Sequence, residues 1–337
     1  MAKVEFEESS STFYLIRGDE SIPYRYYPNY KNVWDKLEDK DFRIVLLSNP
    51  FLNREVDKFE VSFNDNKERA GYIFPIVLLE SEEEQGRPLL SYMLVAYRIL
   101  LSQITGEATG VLSDSYKDAF VLALHNKTIP DFLLEDYCVS LAGYGFYEYQ
   151  GRINDKASFP VVHYIRSLNK KLRIEKSIYN NCSNTYVKDL IRQKLCTTLD
   201  VLTRFVLIYQ IVELYISEIH KKLLDESIDK YKREEYSKND FSERLKVISR
   251  ESYQIKELVN GLETEEQSKK YKNEVRGLFN DVNYKPKNES LGNLLYSLRN
   301  QIFHNYGKFV EHQESLTQVV FSFERLILMI LLKSKIT

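Results

Sequence analysis

Cysteine is scarce in this chain. Cys138, Cys182 and Cys196 are the only three in 337 residues, an odd number with no Cys-x-x-Cys pair. That count argues against a structural zinc of the paired-cysteine kind and for a reducing compartment. Long apolar runs are missing too. The opening MAKVEFEESS lacks the apolar core of a secretory signal, and Leu326 to Leu332 is far shorter than a bilayer crossing needs. A cytoplasmic protein with no membrane partner is the expectation. Nor does one sign of charge dominate: 47 Lys and Arg face 49 Asp and Glu, a net charge of −2, so no whole-surface field draws the chain to nucleic acid. Any RNA contact must be local. A GxxxxGK[ST] phosphate loop and an HExxH helix are absent, and Gly143-Tyr144-Gly145 fails as a dinucleotide fingerprint because Glu148 stands at the third glycine position. His125, His163 and His220 lack metal-ligand spacing, and the acidic residues form no recognisable metal-nuclease cluster. No metal and no cofactor are therefore expected.

What the chain does have is apolar and aromatic content, 43% hydrophobic with 25 Tyr and 18 Phe, at a length suited to two cores. Residues 1–175 read as a mixed α/β domain. Phe13–Ile16, Phe42–Leu47 and Tyr72–Leu79 are short apolar runs bounded by turn residues, as strands are. Pro88 opens a stretch from Leu89 to Ile104 with helical apolar spacing, and the aromatic-rich Asp131 to Tyr149 suggests further strands. From Thr185 to about Leu224 the apolar residues keep a helical beat, as one long helix or two end to end, N-capped by Asn184 or Thr185. Residues 221–290 hold 31 Asp, Glu, Lys and Arg in 70 positions and read as a solvated helical insertion, in preference to an RNA-facing surface, which the mixing of Lys with Glu disfavours. Helices then follow over Glu289–Tyr306, stopped or bent by Gly307, and over Glu314–Lys333. The fold class expected is α+β: a mixed α/β domain over 1–175, then an all-α bundle over 184–337.

Chemistry concentrates in Leu298-Arg299-Asn300-Gln301-Ile302-Phe303-His304-Asn305-Tyr306. Asn300 and His304 are four apart and share a helix face. Arg299, five before His304, lies roughly 140° away around an ideal helix, an angle that a long guanidinium can wrap. These groups suit RNA cleavage without a metal. An imidazole moves protons near neutral pH, a guanidinium clamps the scissile phosphate, and an amide orients either one. The RNA's own 2′-oxygen serves as nucleophile.

The pattern resembles the HEPN superfamily of ribonucleases, whose signature is an Arg, a polar residue, a short spacer and a His in a helical bundle. Arg299, Asn300 and His304 match it, and Tyr306 extends the match to R-x4-H-x-Y, the form of HEPN toxins whose nucleotidyltransferase antitoxins modify that Tyr. The resemblance covers 184–337 by architecture and about eight residues by motif. It implies a homodimer with a composite site, an RNA substrate, an antiviral-defence or toxin-type role, and a sensing or targeting task for residues 1–175. It also implies an acidic residue on the first long helix to hold the Arg, for which Glu213 is the candidate. His312 is a weaker candidate for a second proton carrier, against a plain surface histidine. Two other readings are a non-catalytic HEPN protein that binds RNA or a partner, and a helical interaction module with no nucleic-acid role.

Overall fold

The computed structural model describes residues 3–7, 12–17, 20–26, 38–50, 58–63, 68–80, 86–103, 112–151, 170–177, 185–198 and 200–333. Ile104, His163, Cys182 and Asn184, named above, lie outside them. Contacts divide the chain into two units, Met1–Ser177 with Ile191–Thr197, and Ile178–Leu190 with Thr198–Thr337. The chain is mixed α/β with a helical C-terminal region.

Strand alternation builds the first unit. Strands β1 (Lys3–Glu7), β2 (Thr12–Arg17) and β3 (Glu20–Tyr26) form an antiparallel meander. A second sheet joins β4 (Phe42–Ser48), β5 (Phe59–Phe63), β6 (Gly71–Pro75), β7 (Ala119–His125), β8 (Tyr147–Glu148) and β9 (Lys171–Ile174) in the order β8-β4-β7-β6-β5-β9. All its pairings are antiparallel except that of β5 with β9. Successive side chains of a strand point to opposite faces. Val121 and Ala123 accordingly join the core under helix α1 (Arg87–Gln103), while Phe120, Leu122 and Leu124 meet Tyr137 and Leu141 of helix α2 (Leu134–Gly143). With both faces covered, β7 is apolar along nearly its whole length.

Two expectations need correction here. The run Tyr72–Leu79 is not all strand, because β6 stops at Pro75 and a 3-10 turn, Ile76–Glu80, follows. Proline has no N–H to continue a ladder. Asp131 to Tyr149 holds helix α2 and contributes only the two-residue β8. Of its aromatic rings, Tyr137 stacks on Phe132 at 5.0 Å, Phe146 packs against Phe59 and Phe120 of the sheet, and Tyr149 joins the core on the opposite face.

No strand occurs among the described residues from 185 onward. Thr185–Asp189 and Leu195–Thr197 flank a π-helical turn, Leu190–Lys194, in which Arg192 Nη2 sits 2.8 Å from Glu148 in the first unit's sheet. Helix α3 (Val201–Lys232) then starts afresh, capped by the Asp200 carboxylate, which accepts from the Thr203 N–H at 2.6 Å. The long helical beat is thus broken at Asp200. Helices α4 (Lys238–Ile248), α5 (Glu251–Leu258), α6 (Glu266–Asp281), α7 (Leu291–Asn305) and α8 (Gln313–Lys333) follow.

The charged stretch 221–290 is not merely a solvated insertion. Ile255 and Leu258 of α5 and Tyr271, Val275, Leu278 and Phe279 of α6 are buried, and α6 packs along α8 as α5 packs along α7. A Cβ on Gly292 would stand 2.9 Å from the Lys256 backbone, so this glycine is what lets α7 approach α5 so closely. Gly307 keeps an ordinary backbone conformation inside a 3-10 segment, Tyr306–His312, between α7 and α8. The stretch Leu291–Lys333 contains a window apolar enough to cross a membrane, but 67% of that window is buried inside the structure, as expected of helices packed in a protein core.

One polar interaction lies at the centre of this packing. Arg204 on α3 and Glu324 on α8 are 0% and 1% exposed, with Nε to Oε2 at 2.7 Å and Nη2 to Oε1 at 2.9 Å. Nη1 donates to the Thr198 carbonyl at 3.0 Å, and the guanidinium lies over the Phe321 ring. Removing one member strands a buried charge. Arg204→Ala or Glu324→Ala should therefore each lower the unfolding free energy by about 3–5 kcal/mol, whereas the apolar pair Arg204→Met with Glu324→Leu should recover most of it. Urea titrations of the three variants check this, and additive losses in the double would refute it.

Candidate functional site

Helix α7 places the motif. Its apolar face, Leu291, Leu294, Leu295, Leu298 and Ile302, is buried and leaves Arg299 and Asn300 half-buried and His304 exposed. The helix runs on to Asn305 before the 3-10 segment starts, so no bend between Arg299 and His304 shortens the angle between them.

The Arg299 side chain, 26% exposed, is held on several sides. Nη1 donates to Asn300 Oδ1 at 3.0 Å. The guanidinium carbon sits 5.1 Å from the centre of the Phe303 ring and 5.9 Å from that of Tyr209 on α3. Nε is buried without a hydrogen bond, 3.7 Å from Glu251 Oε1 at the start of α5. That separation is too long for a hydrogen bond and short enough for strong charge attraction. The same Oε1 accepts the Tyr209 hydroxyl at 2.7 Å. Burial, and next the hydrogen bond to Glu251, push the Tyr209 phenol far above its usual value, so it stays protonated and remains a donor. Nη2 of Arg299 has no hydrogen-bond partner among the described residues.

The carboxylate beside Arg299 is therefore Glu251, not Glu213. Glu213 stands exposed on α3, and among the described residues it makes no ion pair with Arg299. Sequence reasoning missed Glu251 because it begins a short helix inside the charged stretch. The signal available was the spacing of Tyr271, Val275, Leu278 and Phe279, which marks α6, and with it this stretch, as part of the core.

His304 is exposed and has no hydrogen bond among the described residues. Tyr306 and His312, at the two ends of the 3-10 segment, are half-buried. Among the described residues, no three His, Cys, Asp or Glu side chains gather into a group able to hold a metal ion. The arrangement thus offers a buttressed cation with one nitrogen to spare, an amide bound to it and an accessible imidazole on the same helix. Compared with protein-family models, curated proteins and solved structures, the chain matches none of them.

Tyr209→Phe should expose how much the Tyr209–Glu251 bond contributes. A hydrogen bond to a charged acceptor is worth about 1.5–3 kcal/mol, and urea unfolding should show a loss of that size. Unchanged stability would mean that the bond contributes nothing to holding α3 against α5.

Proposed function

We propose that this protein is a metal-independent endoribonuclease of the HEPN type, acting as an antiviral-defence or toxin-type effector, with the first unit in a sensing or targeting role. The observation that carries the reading is the Arg299 guanidinium, braced by Glu251, Tyr209 and Asn300 and yet keeping Nη2 unused, on the same helix as an exposed His304. In this reading Nη2 meets a non-bridging oxygen of the scissile phosphate and offsets the charge that builds in the transition state. The substrate's 2′-oxygen attacks phosphorus and the P–O5′ bond breaks. One proton leaves the 2′-hydroxyl and another reaches the departing 5′-oxygen, so the products carry a 2′,3′-cyclic phosphate and a 5′-hydroxyl. A single imidazole cannot accept the first proton and donate the second in one concerted step. Two copies of the chain, each contributing a His304, satisfy that requirement, and Val310, 53% exposed just after α7, is apolar surface that a second copy would cover.

Cleavage should persist in EDTA and leave the cyclic-phosphate and 5′-hydroxyl ends. Products with 3′-hydroxyl and 5′-phosphate ends would point to a metal-activated water and refute the mechanism. Arg299→Ala and His304→Ala should each lower the rate by about 10²–10⁴ without unfolding the protein, and the double variant should be barely worse than either single. His312→Ala is the control and should cost little. If each composite site needs both His304 side chains, mixing the Arg299→Ala and His304→Ala proteins should leave activity low; restored activity would mean instead that a site draws its Arg from one copy and its single His from the other. A binding-only protein is the second reading, favoured by the exposed Phe303 and Val310. RNA binding by the unsubstituted protein without any cleavage would move the function there, and full cleavage by pure His304→Ala would refute the role given to His304.

Regulation through Tyr306 belongs to the same proposal, with a nucleotidyltransferase antitoxin as partner. Mass spectrometry of protein co-expressed with such an enzyme should find nucleotide on Tyr306. An unmodified Tyr306 beside an active partner would remove that regulation and leave the nuclease untouched.

A further inference from the structure

Phe303 is the residue of α7 that packing alone explains least. It is 47% exposed, on the turn after Arg299 and directly before His304. Its ring is nevertheless fixed from within: the Arg299 guanidinium lies over it at 5.1 Å, and the rings of Phe205 and Tyr209 approach at 6.3 and 6.4 Å. A ring so held keeps one orientation while part of it faces water. That is what a nucleobase needs in a stacking partner, because little ordering remains to be done when the base arrives. The cation beside it supplies the complementary contact for the neighbouring phosphate, since Arg299 Nη2 is unused among the described residues.

We propose that Phe303 is a stacking platform for an unpaired base next to the scissile phosphate, and that the substrate is accordingly single-stranded RNA. This rests on the endoribonuclease reading above. Bases within an RNA duplex are already stacked and cannot reach such a ring, whereas bases in loops and single strands can be splayed onto it. Stacking on an aromatic side chain is tolerant of base identity. Phe303 therefore selects for strandedness and sets no sequence preference. It is a positioning and specificity residue, with Arg299 and His304 carrying the chemistry.

The test uses the full chain. In the His304→Ala background, anisotropy with a labelled single-stranded RNA should show binding weakened about 5- to 150-fold by Phe303→Ala. Phe303→Trp should restore that binding, with quenching of the introduced indole on titration. Affinity for a blunt RNA duplex should not respond to either change. With His304 intact, Phe303→Ala should raise KM for single-stranded RNA more than it lowers kcat. Equal single-strand affinity with and without the ring, in a protein that still cleaves RNA, would overturn the stacking role and leave the nuclease standing. Dissociation of a dimer by Phe303→Ala in sedimentation would instead assign the ring to contact with a second copy, and would also overturn it. If the unsubstituted protein neither cleaves nor binds RNA, both readings fall together. Circular dichroism of each variant, with Phe303→Trp as the shape-preserving control, separates these outcomes from misfolding.

Discussion

The buried pair Arg204–Glu324 is the constraint on which the helical unit turns. Two charges taken out of water are tolerable only when each satisfies the other with good geometry. Here the pairing is two-pronged, at 2.7 and 2.9 Å. A mismatch of one residue between α3 and α8 would leave both groups stranded, so the pair fixes the register of the two helices as no apolar contact can. The next residue along, Phe205, packs its ring 5.2 Å from that of Phe323, the residue before Glu324. One turn further on, Tyr209 reaches Glu251, and Glu251 faces Arg299. The position of the motif's guanidinium thus follows, contact by contact, from a salt bridge that takes no part in the proposed chemistry.

That chain of contacts gives the two motif residues different characters. Arg299 is restrained by a carboxylate, an amide and two rings, so under the proposed function a phosphate arriving at Nη2 would meet a cation already in place. The cost lies in charge. Glu251 partly neutralises the guanidinium, and the Tyr209 hydroxyl moderates this by drawing on the same carboxylate oxygen. The three residues behave as one device, and changing any one of them alters both the position and the effective charge of the guanidinium.

How much of this was legible in the sequence depended on the distance over which each feature is encoded. Helices α1, α7 and α8 were readable from local apolar spacing, and the Arg299–Asn300–His304 grouping came with α7. The strand order β8-β4-β7-β6-β5-β9 was not. It joins segments such as β5 and β9, some 110 residues apart in register, and no local pattern states which strands become neighbours. Glu213 misled because its flanks are apolar. A single step along a helix turns a side chain about 100°, enough to carry it from the buried stripe of Val212 into solvent. Glu251 was hidden for the opposite reason, since its many charged neighbours make a buttressing carboxylate look like one more solvated one. The pair Arg204–Glu324 carries no local sign at all, being 120 residues apart.

His304 is held far less than Arg299. A histidine that exchanges protons must present a chosen nitrogen, and that choice is set by the hydrogen bond made by the other nitrogen. Among the described residues nothing holds either nitrogen of His304, while its helical neighbour Asn300 is turned toward Arg299. The Arg299 guanidinium is therefore already held by its neighbours, and the His304 imidazole is not. Under the proposed reading the missing restraint comes from outside the chain, through the bound RNA or a second copy of α7. Arrival of that restraint, more than any change around Arg299, is then the step that separates an idle protein from an active one.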